Sequence, residues 1–349
     1  MKLDRSRRGV LIGLAAAVSF GVATPFAKQL LEDARPQLLA GLLYLGAFMV
    51  LAATVPFRRR SSEARLQRGD APRLIGLVVC GGVLAPVLLL VGLERVSGSS
   101  GSLLLNLEGP FTLLIGLAVF REHLGPRALL GAATVFVGGA VLSAGGPGGS
   151  ADVFGVLCIA AACLLWGLDN NLTQSLSLRD PFSLVTVKTS VSAAVNLTLA
   201  FLLGAGLPSI VLTLGALGLG AISYGVSLLL DTYALRLLGA AREAVIFATA
   251  PFVGAALALP VLSETLSAAE VVAGGVMAGG IVLMLGDRHE HRHRHKSVVH
   301  EHAHVHDDHH QHEHEPGVVA TALHSHVHRH ARLAHAHPHV SDLHHRHPH

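Results

Sequence analysis

The sequence predicts an all-α polytopic membrane protein, with ten transmembrane helices arranged as two inverted five-helix repeats and a disordered cytoplasmic tail behind them. Three observations carry that expectation. The chain is 51% hydrophobic and only 14% charged, against about 25% charged residues in soluble domains. Its first 286 residues divide into ten apolar stretches of about 19–26 residues each, and a helix needs ~20 to cross a ~30 Å hydrocarbon core. Finally, 23 of its 24 histidines fall in the last 63 residues, Asp287 to His349.

The stretches run 9–27, 36–57, 71–93, 98–120, 126–144, 153–173, 182–204, 210–235, 241–262 and 268–286. Small residues are abundant within them, as in Gly138-Gly139 and the set Gly274, Gly275, Gly279 and Gly280, which suits close helix packing in lipid. Cys80, Cys158 and Cys163 all lie inside these stretches without metal or redox spacing and read as packing residues. The start, Ser6-Arg7-Arg8 before an apolar run, resembles an export signal; with nine further spans behind it, an uncleaved first helix is expected.

Orientation follows from the basic residues. With a cytoplasmic N-terminus and the tail set aside, 15 Lys and Arg fall on the inner side, six of them in the 57–73 loop, and three on the outer side: Lys28, Arg35 and Arg95. The positive-inside rule then puts both termini in the cytoplasm, at the plasma (inner) membrane of a bacterium. Lys28 and Glu32 are expected to do no more than face water.

The body repeats itself. Residues 92–111 lie over 233–252 without a gap, matching Arg95 with Arg236, Gly98 with Gly239, Pro110 with Pro251 and Phe111 with Phe252. Glu122 and Glu264 follow at similar spacing. Residues 9–28 match 155–174 likewise, including Gly9 with Gly155, Phe20 with Trp166 and Gly21 with Gly167. Units of five helices enter the membrane from opposite faces, the architecture of alternating-access transporters. The expected organisation is a first repeat at 1–144, a linker at 145–152, a second repeat at 153–286 and a tail at 287–349.

These residues resemble the EamA repeat of the drug/metabolite transporter superfamily. Trp166-Gly167, the stretch Tyr233-Ala-Leu-Arg236 leading to Gly239, Pro251 and the following Glu264 carry the resemblance, and Arg95, Gly98, Pro110 and Glu122 repeat it more loosely. The resemblance covers residues 9–286 and implies a transporter without specifying its substrate. Its His-rich ending is similar to that of a subset of bacterial members.

Polar groups inside apolar stretches are costly and mark paths or partners. Asn106 and Glu108 lie near the middle of the fourth stretch, and Pro110 frees a backbone carbonyl one turn back. Glu108 reads either as a proton or substrate site or as a structural carboxyl. Asp169 and Asn170 precede the end of the sixth stretch, Lys188 lies two turns into the seventh, and Asp231 lies one turn before the end of the eighth. An Asp169–Lys188 pair across the short connection is geometrically easy; the alternative is a Lys188 that snorkels to the interface. Trp166 and Tyr224 are placed to line the same path or to pack the core, and Pro251 completes the substrate or coupling set.

The chain lacks a GxxxxGK[ST] loop, a nucleophile–base pair and a nucleic-acid signature, so no enzyme is expected. His123 alone offers imidazole in the body. The tail alternates instead: His289, His291, His293 and His295; His300, His302, His304 and His306; His324, His326, His328 and His330. In an extended segment alternation puts such residues on one face, and neutral imidazole suits Zn, Ni, Co or Cu. No cofactor is required. The expected partners are a small-molecule substrate, the lipid bilayer and transition-metal ions at the tail; homodimerisation is left open. The function expected is a secondary transporter, an exporter of small polar metabolites by alternating access, with a metal-binding cytoplasmic tail. The alternative is a divalent transition-metal (Ni, Co or Zn) exporter or a metal-sensing membrane protein.

Overall fold

A computed structural model of the chain describes residues 5–57, 64–119, 125–145, 152–176, 179–206, 208–238, 243, 246–285, 289–294, 299–304, 324–329 and 334–339, with the backbone alone for the last four segments. Among these residues eight helices are long and apolar enough to cross a membrane. They are span 1 (Arg7–Leu30), span 2 (Pro36–Thr54), span 3 (Arg68–Leu93), span 4 (Gly98–Ala118), span 5 (Pro126–Ala144), span 6 (Val153–Ser175), span 7 (Pro181–Leu202) and span 8 (Ile210–Ala234).

The expected count of ten is therefore corrected to eight. The two remaining apolar helices, Ala250–Leu262 and Ala268–Met284, are shorter. The first covers only ~20 Å at ~1.5 Å per residue, against ~30 Å of hydrocarbon. Its stretch is apolar from 241 onward, yet the described helix starts only at Ala250-Pro251, and it ends at Ser263 in a left-handed conformation with φ 53°. Hydropathy measured the length of the apolar run and not the length of the helix within it. The inverted five-helix repeat falls with the count, because eight spans do not divide into two units of five. The tail departs from the expectation too. Its described backbone forms four strands in two antiparallel pairs, His289–Arg294 with Ala334–His339 and Val299–His304 with His324–Arg329. A period-two sequence favours extended backbone, which a reading from polarity alone overlooks.

Local chemistry explains where the spans begin. Ser97, Asp152, Asp180 and Ser209 cap spans 4, 6, 7 and 8 with side-chain oxygens that accept backbone N–H groups. Proline opens spans 2, 5 and 7, where its missing N–H costs nothing. The Gly155 N–H that Asp152 accepts, and then the Arg95 guanidinium 3.2 Å away, hold the Asp152 carboxyl below the usual range.

Span 2 packs against spans 7 and 8, span 6 against spans 3 and 4, and the final helix against span 5. Glycines set two of these contacts. A Cβ on Gly46 would meet the Leu217 carbonyl and one on Gly220 the Leu43 carbonyl, while Gly131 and Gly280 face each other's carbonyls in the same way. Backbones in contact through small residues are how helices associate without a hydrophobic drive. Large apolar side chains such as Leu130, Leu157, Leu202 and Val211 stay exposed on the outside of the bundle, the surface that lipid covers.

At one end of the bundle the loop after Leu262 clasps span 4. Glu264 accepts the backbone N–H groups of Gly98 (2.6 Å) and Ser99 (2.9 Å). Glu270 accepts the hydroxyls of Ser97, Ser99, Ser100 and Ser267. Lys28 donates to the carbonyls of Leu93 (2.6 Å) and Val96 (2.7 Å), so the expectation that it merely faces water is corrected: it satisfies orphan carbonyls at the end of span 3. Glu264→Ala is expected to destabilise the protein by about 1–2 kcal/mol through loss of this charged cap, measured by thermal unfolding in detergent. At the opposite end Asp70 pairs with Arg179 at 2.8 Å, and Asp180 N–H donates to Ala64 O.

Candidate functional site

The site is built on an irregularity of span 3. Over Val78–Leu84 the helix widens to a π-helix, which loosens its backbone ladder at a place such features often serve function. The displaced carbonyls find partners on three other spans. Tyr44 (2.7 Å) and Trp166 Nε1 (3.2 Å) both donate to Gly81 O, and Asn196 Nδ2 donates to Gly82 O at 2.9 Å. Gln37 in turn donates to Asn196 Oδ1 at 2.8 Å. Residues 81 and 82 carry no Cβ, and the space is taken by the Asp169 carboxyl and the Ser192 hydroxyl, which rest against the span 3 backbone.

Asp169 is thereby fixed beside Lys188, whose Nζ donates to Asp169 Oδ2 at 2.5 Å. Both residues are buried, Lys188 at 8% exposure, so Lys188 does not snorkel. Asp169 Oδ1 has no hydrogen-bond partner.

Span 4 supplies the next carboxylate. It tightens to a 3₁₀ turn at Leu105–Leu107 before resuming at Glu108. Pro110 lacks the N–H that would close onto Asn106 O, and Cys163 Sγ lies 3.6 Å from Leu104 O. That thiol contact is more than the apolar packing expected of the cysteine. Glu108 Oε1 accepts from Asn170 Nδ2 at 2.7 Å, and Asn171 Nδ2 donates to Thr112 O at 3.0 Å and Gly167 O at 2.9 Å. Gly167 lets the span 4 backbone pass at Phe111-Thr112. Asn170 is exposed and Glu108 half-buried, so this pair reaches the surface, whereas Asp169 and Lys188 do not.

Asp231 and Glu243 complete the group. Their carboxyls hydrogen-bond to each other, and Glu243 Oε1 has no further partner. Glu108 lies within electrostatic reach of Asp169, Asp231 and Lys188, and Glu243 within reach of Glu108. Carboxylates that look thinly spread along the sequence are thus within electrostatic reach of one another, with Asp169 in contact with Lys188 and with Glu108 and Asp231 within reach of that lysine. Glu243 was missed although the same rule, an ionisable residue in an apolar stretch, applied to it within 241–262.

A buried aromatic layer adjoins the cluster. Phe20 packs on Trp166 (6.3 Å between ring centroids), Tyr224 (5.9 Å) and Phe247 (5.3 Å), and Tyr44 packs on Tyr224 (5.4 Å). Trp166 and Tyr224 therefore belong to this layer. Asn106 turns elsewhere, with Nδ2 on Leu103 O and near Met277 Sδ, and the structure does not bring it to the cluster. Pro251 is buried at the start of the Ala250–Leu262 helix, where it sets a helix end.

In the tail, backbone register sets histidine opposite histidine: His289 with His339, His291 with His337, His293 with His335, His300 with His328, His302 with His326 and His304 with His324. His295, His306 and His330 lie outside the described residues, as do Glu122 and His123. Among the described residues no three His, Cys, Asp or Glu side chains converge closely enough to hold a metal ion.

Comparison with known proteins gives two tandem matches. Residues 7–144 and again 153–286 match the EamA-like transporter family; the histidine tail lies beyond both. An uncharacterized transporter of Methanothermobacter thermautotrophicus is 30% identical over 294 residues, covering 79% of this chain and 85% of that protein. A solved crystal structure aligns with a TM-score of 0.61 at 18% identity, covering 79% of this chain and 96% of its own; at that identity the likeness is one of fold.

Proposed function

Because the chain belongs to the EamA-like transporter family, a transporter family and not an enzyme family, we propose that it is a secondary transporter of small polar metabolites. It works as an exporter by alternating access through the Lys188 cluster. The observation that carries this reading is the buried Asp169–Lys188 pair with partner-less acceptors around it. Burying an ion pair is not an economical way to stabilise a bundle, and ionisable groups at this depth mark transport paths. The Asp70–Arg179 and Glu264–span 4 links at opposite ends are suited to act as the two closures. The two family matches, at 7–144 and 153–286, support a division of the body into two units at 1–144 and 153–286 joined by a linker at 145–152.

Glu108 is assigned the coupling role. In vesicles carrying an imposed proton gradient, Glu108→Gln is expected to abolish gradient-driven solute movement while thermal stability stays near wild type. Gradient-driven movement at the wild-type rate would reduce Glu108 to a structural carboxyl.

Both termini are assigned to the cytoplasmic side of a bacterial inner membrane, from the 15-to-3 division of basic residues. Eight spans, being even in number, leave the termini on one side. Reporter fusions at Arg65 and in the tail should score cytoplasmic and one at Gly148 periplasmic; a periplasmic tail overturns the orientation.

The tail is assigned a metal-binding, regulatory role, supported by the six His–His register pairs and the affinity of imidazole for Zn, Ni, Co and Cu. Protonation removes imidazole as a ligand, so binding is present above pH ~6.5 and lost as pH falls through that value. Full-length protein should bind several zinc ions at pH ~7.5 and few at ~5.5 by calorimetry. Since each register pair joins a residue before 305 to one after 323, truncation after Leu323 should cost more than the share of histidines it removes. Metal export by the body is disfavoured, because no metal-holding group of three is present among the described residues.

A further inference from the structure

We propose that the two strand pairs of the tail are one hairpin closed by metal, with a tetrahedral ion such as zinc bound across the strands of each pair. This deepens the metal-binding role proposed for the tail and rests on it. The site is the juxtaposition of histidines within the outer pair, 289–294 with 334–339, and within the inner pair, 299–304 with 324–329.

The first ground is register. The tail is described by backbone alone, and pairing is what brings its histidines together. In every rung of both pairs the two partner numbers add up to 628, from 289 with 339 to 304 with 324. Four residues separate the pairs on each strand, 295–298 and 330–333. Two unrelated pairs need not share a register; a single hairpin requires it. The inner pair closes a loop of 19 residues, 305–323, and the outer pair alone would close 39, 295–333. Once the inner pair has formed, the outer strands are held close to each other, and the second closure costs less entropy than the first.

The second ground is the pattern of rungs. Within each pair, rungs of two histidines alternate with rungs that hold none, such as Arg292 with Ala336 and Glu301 with Val327. Residues directly opposed, and residues two apart along a strand, share a face. Each pair therefore places six histidines on one face. A slip of one residue would set every one of them opposite a different residue type. Zinc takes four ligands in tetrahedral geometry, with nitrogen at ~2.0–2.1 Å. Two adjacent rungs offer four imidazoles rooted on a rectangle of about 5 by 7 Å, whereas the three histidines of one strand are strung over about 13 Å. The cross-strand set suits one ion.

The third ground is what the ribbon lacks. A two-stranded hairpin alone is marginal in water. In the outer pair the rungs between the histidines join Glu290 with Pro338, Arg292 with Ala336 and Arg294 with Ala334, so neither face is apolar. Metal bound across the strands supplies the missing stabilisation, because a site assembled on folding converts binding free energy into folding free energy. Occupancy then holds position 339 opposite 289, four residues beyond the end of the last helix at Leu285. The far end of the tail is thereby tied back to the end that leaves the body.

The test titrates full-length protein in detergent with zinc at neutral pH, followed by calorimetry. Wild type is expected to hold two tight ions, one per pair. Two variants each replace six histidines by threonine, which favours strands, and keep every other histidine. The first removes both strands of the inner pair: His300→Thr, His302→Thr and His304→Thr with His324→Thr, His326→Thr and His328→Thr. It should keep one tight ion. The second removes the histidines of 289–293 and of 324–328, one strand from each pair. It should keep none, its remaining zinc held at least tenfold more weakly. Thermal unfolding run alongside checks the body; if the second variant does not fold, replacing the histidines of 300–304 and 335–339 makes the same comparison. Equal zinc binding by the two variants, which retain equal numbers of histidines, overturns the hairpin and leaves the metal-binding role standing. Wild-type protein without tight zinc overturns that role and the hairpin with it.

Discussion

Lys188→Met is expected to destabilise the protein by about 3–5 kcal/mol, the cost of leaving a buried carboxylate without its counter-charge. Lys188 holds Asp169 at 2.5 Å, both are buried, and Asp169 has no other donor to fall back on. Asp169→Asn should be similarly costly, since it strands the ammonium. The double replacement Asp169→Leu/Lys188→Leu removes both charges together and should recover much of the stability, as apolar isosteres of buried pairs often do. It should not recover transport. Denaturant or thermal unfolding in detergent gives the first quantity and flux in vesicles the second. If the double variant transports like wild type, the pair is scaffolding.

Gly81→Ala should be nearly as severe, through a different cause. The new methyl would occupy the place of the Asp169 carboxyl, against which Gly81 is in direct contact. Overpacking of this kind costs about 1–3 kcal/mol. Here it also pushes Asp169 away from Lys188 and disturbs the carbonyl that Tyr44 and Trp166 share. Gly69→Ala, whose Cβ would meet nothing, is the control. Transport by Gly81→Ala should fall at least tenfold at equal amounts of folded protein, with Gly69→Ala close to wild type.

The sequence carried most of this architecture, and the exceptions have physical causes. Eight spans lie within a few residues of their apolar stretches because proline, serine and aspartate mark their starts. The stretch at 241–262 misled because hydrophobicity is silent on where a backbone leaves the helix. Asp169 and Lys188 could be paired from sequence because only a short connection separates spans 6 and 7. Their contact with Gly81-Gly82 could not, since a π-helix leaves no mark in an apolar run. Glu243 reaches Asp231 from across the connection that follows span 8, a closeness that periodicity does not encode. The tail's alternation was visible, but register between strands more than 20 residues apart is set by pairing, not composition.

Solute counterflow into proteoliposomes tests the central claim most directly. Vesicles are preloaded with a panel of polar metabolites, and the entry of labelled solute is followed for wild type and Asp169→Leu/Lys188→Leu. The structure predicts saturable counterflow of at least one solute by wild type and none by the folded double variant. Counterflow no faster than in protein-free vesicles for every solute, or equal in the two proteins, would contradict a transport path through Lys188.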